Sequence, residues 1–366
     1  MAVTFTPSNH YKYQLLLKLV DLGADSFKAV LCKSGFVFDP DFYASYANMK
    51  ATTGSISIAF NATAKTMTRA SGSFITNGFV EDSEITTTSG SNPGPFTITT
   101  VTALVLTVSE TVTTETLSCI ITASDEVATG GGYIQNNKTL SNVVVTEDDT
   151  GDRCHLVCDD LSWTGTGDGF VTAGCILFDD TPAADADKTI LGYLDFDGDR
   201  TVLTGMVLPI NDIALEITGT ASGTTLTATL SNHFLFQMGN KELDLSADSM
   251  KFILMATGFT FNKDTHATYA NVSASELAAG NGYLADTTVL TTPVATEDDT
   301  NNLAKVVYGI VSIPASGGAI GPTPGFIIYD DDSADNTVVG YWKFPEEITT
   351  GNGKALTVVG ITIENV

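Results

Sequence analysis

Basic residues are scarce. The chain of 366 residues has 17 Lys plus Arg against 43 Asp plus Glu, a formal charge of −26, with a pI near 4.2. So acidic a chain repels polyphosphate and anionic headgroups, which excludes nucleic acid and membrane surfaces as its direct partners. Long apolar runs are missing too, since none approaches the roughly 18 residues a membrane helix requires. The opening MAVTFTPSNHYKYQLLLKLV has neither a basic start nor a small-residue cleavage site, so no signal peptide is expected. Cysteines number five; an odd count in a chain this large is no disulfide framework and fits a reduced, cytosol-synthesised protein. Charged residues make up only 16%. Thr, Ser, Gly, Val and Ile fill their place, the signature of β-structure with many turns. The apolar share of 43% excludes wholesale disorder, and the length suits two or three domains.

What is present is a repeat. Residues 8–49 align without gaps to 231–272, at an offset of 223, with 20 of 42 positions identical. A second block, 128–150, matches 278–300 at an offset of 150, so the first copy carries about 73 extra residues between Met49 and Ala128. Further on, GCILFDD (174–180) answers GFIIYDD (325–331), and GYLDF (192–196) answers GYWKF (340–344). Two long units are a tandem duplication and not a solenoid of short ones. The expected organisation is a first copy over 1–50 plus 122–218, an inserted β-module over 51–121, and a linker with the second copy over 219–366. Residues 219–230 are the expected linker, although their Thr-rich alternation also suits a strand.

Each copy opens with a short helix on this reading. Ser8 or Asn9 caps the first, and Tyr11, Leu15, Leu19 and Leu22 recur at helical spacing. Phe234, Met238 and Leu245 repeat the stripe, weakened by Gly239 and Glu242. Strands follow at Phe27–Leu31, Met250–Leu254, Val143–Val145, Cys175–Phe178 and Phe326–Tyr329, separated by Gly, Asp, Pro and Thr turns. In the insert, Ile56, Ile58 and Phe60 alternate with polar or small neighbours, and 89–96 is a loop. The predicted class is all-β, sandwich- or barrel-like, with one short α-helix opening each repeat.

The second copy tests the chemistry of the first. Cys154, His155, Cys158 and Cys175 suggest a zinc half-site, but a strand turns His155 away from the two neighbouring thiols. The second copy has Ala304, Lys305, Tyr308 and Phe326 at those places, and Met255 opposite Cys32; cysteine that interchanges with such residues behaves as a small core hydrophobe. Asp195–Asp199 suggests a calcium loop, yet glycine is misplaced, Met206 stands twelfth, and Lys343 replaces Asp195. The TEDDT runs at 146–150 and 296–300, and the acid pairs after Phe178 and Tyr329, close turns through Asp side chains or offer acidic patches to a basic partner. Of four histidines, His10 and His233 occupy the same place at a helix start, while His155 and His266 are unmatched. No nucleophile elbow, P-loop or dinucleotide fingerprint occurs. Gly130–Tyr133 and Gly280–Tyr283 precede β-like stretches, which reads as turn geometry and not a phosphate cradle. Trp163 and Trp342 lie at unmatched positions, against a repeated sugar platform. No catalytic, metal or cofactor residue is assigned.

Residues 24–39 and 247–283, with TEDDTNN (296–302), GGAIGPTPGFIIYDD (317–331) and VVGYWKF (338–344), resemble a recurrent unit of tailed bacteriophages and prophages. That family is described as a virion structural protein of unassigned role. The resemblance implies a non-enzymatic protein made in the bacterial host cytoplasm and incorporated in the virion. Its implied partners are major capsid or tail proteins, with many copies and self-association. The expectation is a capsid-exterior decoration or cementing protein, with two linked modules gripping adjacent sites at raised effective concentration. Alternatives are a tail or head–tail junction component (tube, sheath or adaptor) and a receptor- or glycan-binding adhesin.

Overall fold

A computed structural model describes residues 4–79, 81, 83–223 and 226–365, and it is all-β with short helices. The first copy builds a five-stranded antiparallel sheet in the order Thr4–Pro7, Ile190–Val202, Phe170–Asp179, Phe27–Cys32, Lys138–Thr139. The second copy repeats that order with Leu226–Leu230, Val338–Thr350, Ile320–Asp330, Met250–Leu254 and Thr288–Val289. Val30, Leu31 and Cys32 are all buried because both faces of the sheet are covered. Leu31 faces the main core, and Val30 and Cys32 face a smaller cluster with Tyr43, Tyr46 and Met49. Short continuous apolar runs are what such doubly covered strands require.

Each copy adds a second layer. Val144–Asp148, Arg153–Val157 and Ala214–Ile217 form one three-stranded sheet. Their counterparts are Val294–Asp298, Leu303–Val307 and Thr362–Asn365. The expected linker is not one: Gly219–Gly223 and Leu226–Leu230 are strands. The former pairs with Thr362–Asn365 and the latter with the long strand Val338–Thr350, as Thr–small alternation in a half-buried ribbon allows. A strand therefore precedes each helix.

The helices, α1 (Asn9–Leu16) and α2 (Asn232–Gly239), are two turns long. They are short, as expected, although the apolar stripe runs on: Lys18 and Lys241 both take φ of 57°, a left-handed conformation that ends a helix, and Leu19 is exposed. Ser8 and Ser231 have cap geometry but make no side-chain cap bond. The helices are exchanged between the copies: α1 packs on the second copy's three-stranded layer and α2 on the first copy's. The backbone repeats the exchange, with Leu22 N–H donating to Gly239 O (2.8 Å) and Leu245 N–H to Leu16 O (3.0 Å). One core consequently runs through both copies, from Tyr11 and Leu16 to Val306 and Ile363.

The insert closes on itself. Bent strands over 50–61 and 115–124 pair with each other, and Thr66–Arg69, Val105–Val108, Phe96–Val101 and Glu84–Thr87 complete a six-membered ring between them. Its interior, including Ile58, Phe60, Met67, Phe74, Ile98 and Leu106, is a separate apolar cluster. At the joint its strands reach from residue 50 to residue 124. Lys50–Thr52 and Ile121–Ser124 are barrel strands, and the second copy links the matching Val272 to Glu276 through Ser273–Ser275 alone.

Candidate functional site

The segments that match most closely between the copies meet at two seams. In one, His10 Nδ1 lies 3.2 Å from Glu297 Oε2, Asn9 Nδ2 donates to Asn302 Oδ1 (3.3 Å), and Lys12 Nζ donates to Asn302 O (2.6 Å). In the other, His233 Nδ1 lies 3.2 Å from Glu147 Oε2, and Asn232 Nδ2 donates to Asp149 Oδ1 (3.4 Å). Lys263 bonds Asp152 beside them. The helix-start motif of each copy thus reads the TEDDT loop of the other. Within that loop Asp148 accepts from Gly151 N (2.9 Å) and Arg153 Nε (2.8 Å), which hold its carboxyl below the usual carboxylate range. Asp298 is held low in the same sense, first by Lys305 Nζ at 2.6 Å.

A second repeated device was missed in the sequence. Glu126, 4% exposed, accepts from Tyr46 Oη (2.6 Å), Tyr133 Oη (2.6 Å) and Asn136 N (2.7 Å). Glu276 accepts likewise from Tyr269 Oη (3.0 Å), Tyr283 Oη (2.6 Å) and Asp286 N (2.8 Å). Each hub pins the glycine turn that delivers its tyrosine. At Gly132 (φ 99°) a Cβ would lie 2.1 Å from Thr164 O, and at Gly282 (φ 95°) 2.2 Å from Pro314 O, so only glycine fits. The matched glutamates stand two residues before the aligned 128–150 block, where identity at an offset of 150 was the available signal.

The zinc-like residues do not converge. Cys154 and Cys175 are fully buried, and burial pushes the Cys154 thiol up to about 12 and the Cys158 thiol up to about 11. His155, on the same strand as Cys154, is on the less buried face. The calcium-like acids diverge: Asp195 Oδ1 caps its own turn at Asp197 N (2.8 Å), whereas Asp199 accepts from Ser34 Oγ and Gly35 N. Glu347 does the same for Thr257 and Gly258, so this acid fastens a matching turn in each copy. Among the described residues no group of three or more His, Cys, Asp or Glu is placed to hold a metal ion. Trp163 and Trp342 are both core residues, and His266 stacks on Phe259. No described helix is long and apolar enough to cross a membrane.

Among the outward-facing features, two bear on function. A cleft of about 650 Å³ lies between barrel and body, lined by Lys33, Lys50, Glu84, Glu126, Gln135 and Asn136. Lys33 Nζ bonds Asp125 and Ser83 Oγ, and Lys50 Nζ bonds Asp185 while covering the Tyr46 ring. The second copy, which has no barrel, has Ala256, Ser273 and Ala285 in place of Lys33, Lys50 and Gln135. The other feature is repeated: Ile134 and Leu284, at the ends of the two glycine turns, are 56% and 63% exposed, and Val144 and Val294 are also exposed. Searches of family models, curated proteins and solved structures found no match to this chain.

Proposed function

We propose that the chain is a non-enzymatic structural component of a tailed-phage virion, acting as a capsid-exterior decoration protein. The carrying observation is the matched pair of exposed apolar residues Ile134 and Leu284, with a second matched and exposed pair in Val144 and Val294. Isolated exposed residues need no explanation, but the same positions left apolar in both copies mark a contact made twice. Because one core joins the copies, Ile134 and Leu284 are held at a fixed spacing. A surface of repeating subunits is the partner such a spacing suits, and the second contact forms at high effective concentration once the first is made. Electron microscopy of phage particles labelled with antibody against this protein tests the reading. Label over the head supports decoration, label confined to tail or neck moves the role to tube, sheath or adaptor, and unlabelled particles refute a virion protein.

The polar cleft beside the barrel favours a second reading, a glycan-binding adhesin. Its mixture of cationic, anionic and amide groups, absent from the barrel-free copy, suits a polyhydroxylated ligand. A glycan array probed with the full chain, and with Lys50→Ala and Gln135→Ala variants, tests it. Silence of the wild-type chain across the array rejects it.

A further inference from the structure

The two copies differ at one pair of corresponding surfaces, and they differ in complementary ways. In the second copy, Phe344, Pro345, Ile348, Val358 and Val359, with Glu346 and Thr357 among them, line a mainly apolar cleft of about 410 Å³. Ile310, 66% exposed, precedes Val311, the ladder partner of the lining residue Val358. The first copy has Phe196, Asp197, Arg200, Ile210 and Asn211 at the apolar lining positions and Asp160 in place of Ile310. There Arg200 turns its guanidinium onto Phe196 O, and Asp160 accepts from Asp212 N at 3.0 Å. The apolar cleft is therefore not something the fold needs.

The converse holds at the neighbouring hairpin. In the first copy Leu203, Met206 and Val207 are 54%, 50% and 55% exposed on one tight turn. Met206 N–H donates to Leu203 O (2.9 Å), and Gly165 N–H donates to Met206 O (2.8 Å), which fixes the turn before any contact is made. The second copy has Gly351, Lys354 and Ala355 there. At these positions an apolar projection stands on the first copy and an apolar recess on the second.

We propose that this pair is a self-association contact: the Leu203–Val207 hairpin of one molecule seats in the Phe344–Val359 cleft of a second copy of this chain. Projection and recess are different surfaces, so the contact is head-to-tail, and each molecule that joins leaves one of each unused. Growth continues beyond the dimer unless a ring closes. Three aliphatic side chains cover little area compared with a standard interface of about 1,600 Å², so a single contact is weak. The charge of −26 on each molecule opposes it, and added salt, by screening that repulsion, strengthens it. The inference goes beyond the virion reading and stands without it, because its test needs only the purified chain.

Sedimentation velocity of the full chain over a concentration series, at low and high salt, tests the contact. Mass is expected to rise past the dimer with concentration, more steeply at high salt. A projection variant (Leu203→Asp with Met206→Asp) and a recess variant (Pro345→Glu) alter exposed positions only, and circular dichroism checks that both fold. Each alone is expected to lose association at least tenfold. Mixed together they are expected to give a one-to-one dimer and nothing larger, since one intact projection and one intact recess remain. A wild-type chain that stays monomeric throughout overturns the proposal, whereas a stop at the dimer is the ring of two in which each hairpin seats in the other's cleft. Association that survives both variants, or a mixture of them that stays monomeric, also overturns it.

Discussion

At one seam Gly239 approaches Cys154 so closely that a Cβ on it would lie 2.9 Å from Cys154 Sγ and 3.1 Å from Ile217 Cδ1. The corresponding residues of the other seam are Leu16 and Ala304, both fully buried. A small helix residue faces the larger strand residue, and a large one faces the smaller, which is the volume compensation a close-packed core demands. Gly239→Leu alone is expected to destabilise by about 1–3 kcal/mol through overpacking, and Cys154→Ala alone by about 1 kcal/mol. The double variant should be more stable than the sum predicts by about 1 kcal/mol, with Ile217 limiting the recovery. Urea unfolding of the four proteins measures this, and strictly additive losses would reject the compensation. Asp330 sets a pH dependence. Its carboxyl is fully buried, one oxygen lacks a partner, and the other accepts from Asp332 N at 2.9 Å. Burial, with Asp248 adding to it, raises its pKa to about 7. The folded state therefore holds a proton that the unfolded chain releases near pH 4, so this group's contribution to stability falls as pH rises between about 4 and 7. Asp330→Asn keeps the acceptor and removes the charge. The variant should match the wild type at pH 4 and exceed it by about 2–4 kcal/mol at pH 8, a difference that urea unfolding at the two pH values reads directly. An equal gap at both would exclude the carboxyl as its source.

Among the elements, the barrel is the most separable, for its apolar cluster is distinct from the core of the body. Replacing residues 50–125 by Ser-Ala-Ser, the joint found in the second copy, is expected to leave a body that melts cooperatively within about 5 °C of the full chain. Loss of cooperative melting would mean that the barrel holds the body together. The joint is read from the sequence alone, because a change of offset marks an insertion whatever its structure. Strands such as Phe27–Cys32 and Met250–Leu254 were legible as well, as apolar runs between turn residues. The strands at 219–230 were only half legible, since a Thr-rich alternation reads equally as linker and ribbon until a partner strand is known. The helices were legible as short ones, but the stripe that marks them runs on to Leu22 and Leu245, which are buried in the loops that follow, because periodicity records burial without distinguishing a helix from the loop after it. Glu126 and Glu276 escaped notice for a related reason. An acidic residue is expected at the surface, and the sequence does not reveal that tyrosines converge on it, from 80 and 7 residues away at Glu126 and from 7 on either side at Glu276.

At the scale of the molecule, the exchange of helices decides what the duplication means. Beads on a linker would fold separately, and each would bind a lattice on its own with lower affinity. Here the apolar side of α1 has its partners in the second copy and that of α2 in the first, so a severed copy exposes both a helix and the layer that awaits one. Leu15, Leu16 and Tyr11 on one side, and Phe234, Leu235 and Met238 on the other, are all nearly fully buried. Exposing such side chains costs about 1.5–3 kcal/mol each, so losing three per copy rivals the 5–15 kcal/mol that stabilises an ordinary domain. Residues 1–218 and 219–366 expressed separately are therefore expected to show no cooperative melt, apart from the barrel's own transition in the first. Co-expressed, they should assemble into a one-to-one complex with the full chain's melting profile, because every seam contact can form between two chains as well as within one. A second half that melts cooperatively as a monomer would show that the exchanged helix is dispensable. In that event the fixed spacing of Ile134 and Leu284 would rest on the connection through residues 218–219 alone, and the proposal of a rigid double grip on a repeating surface would lose its structural basis.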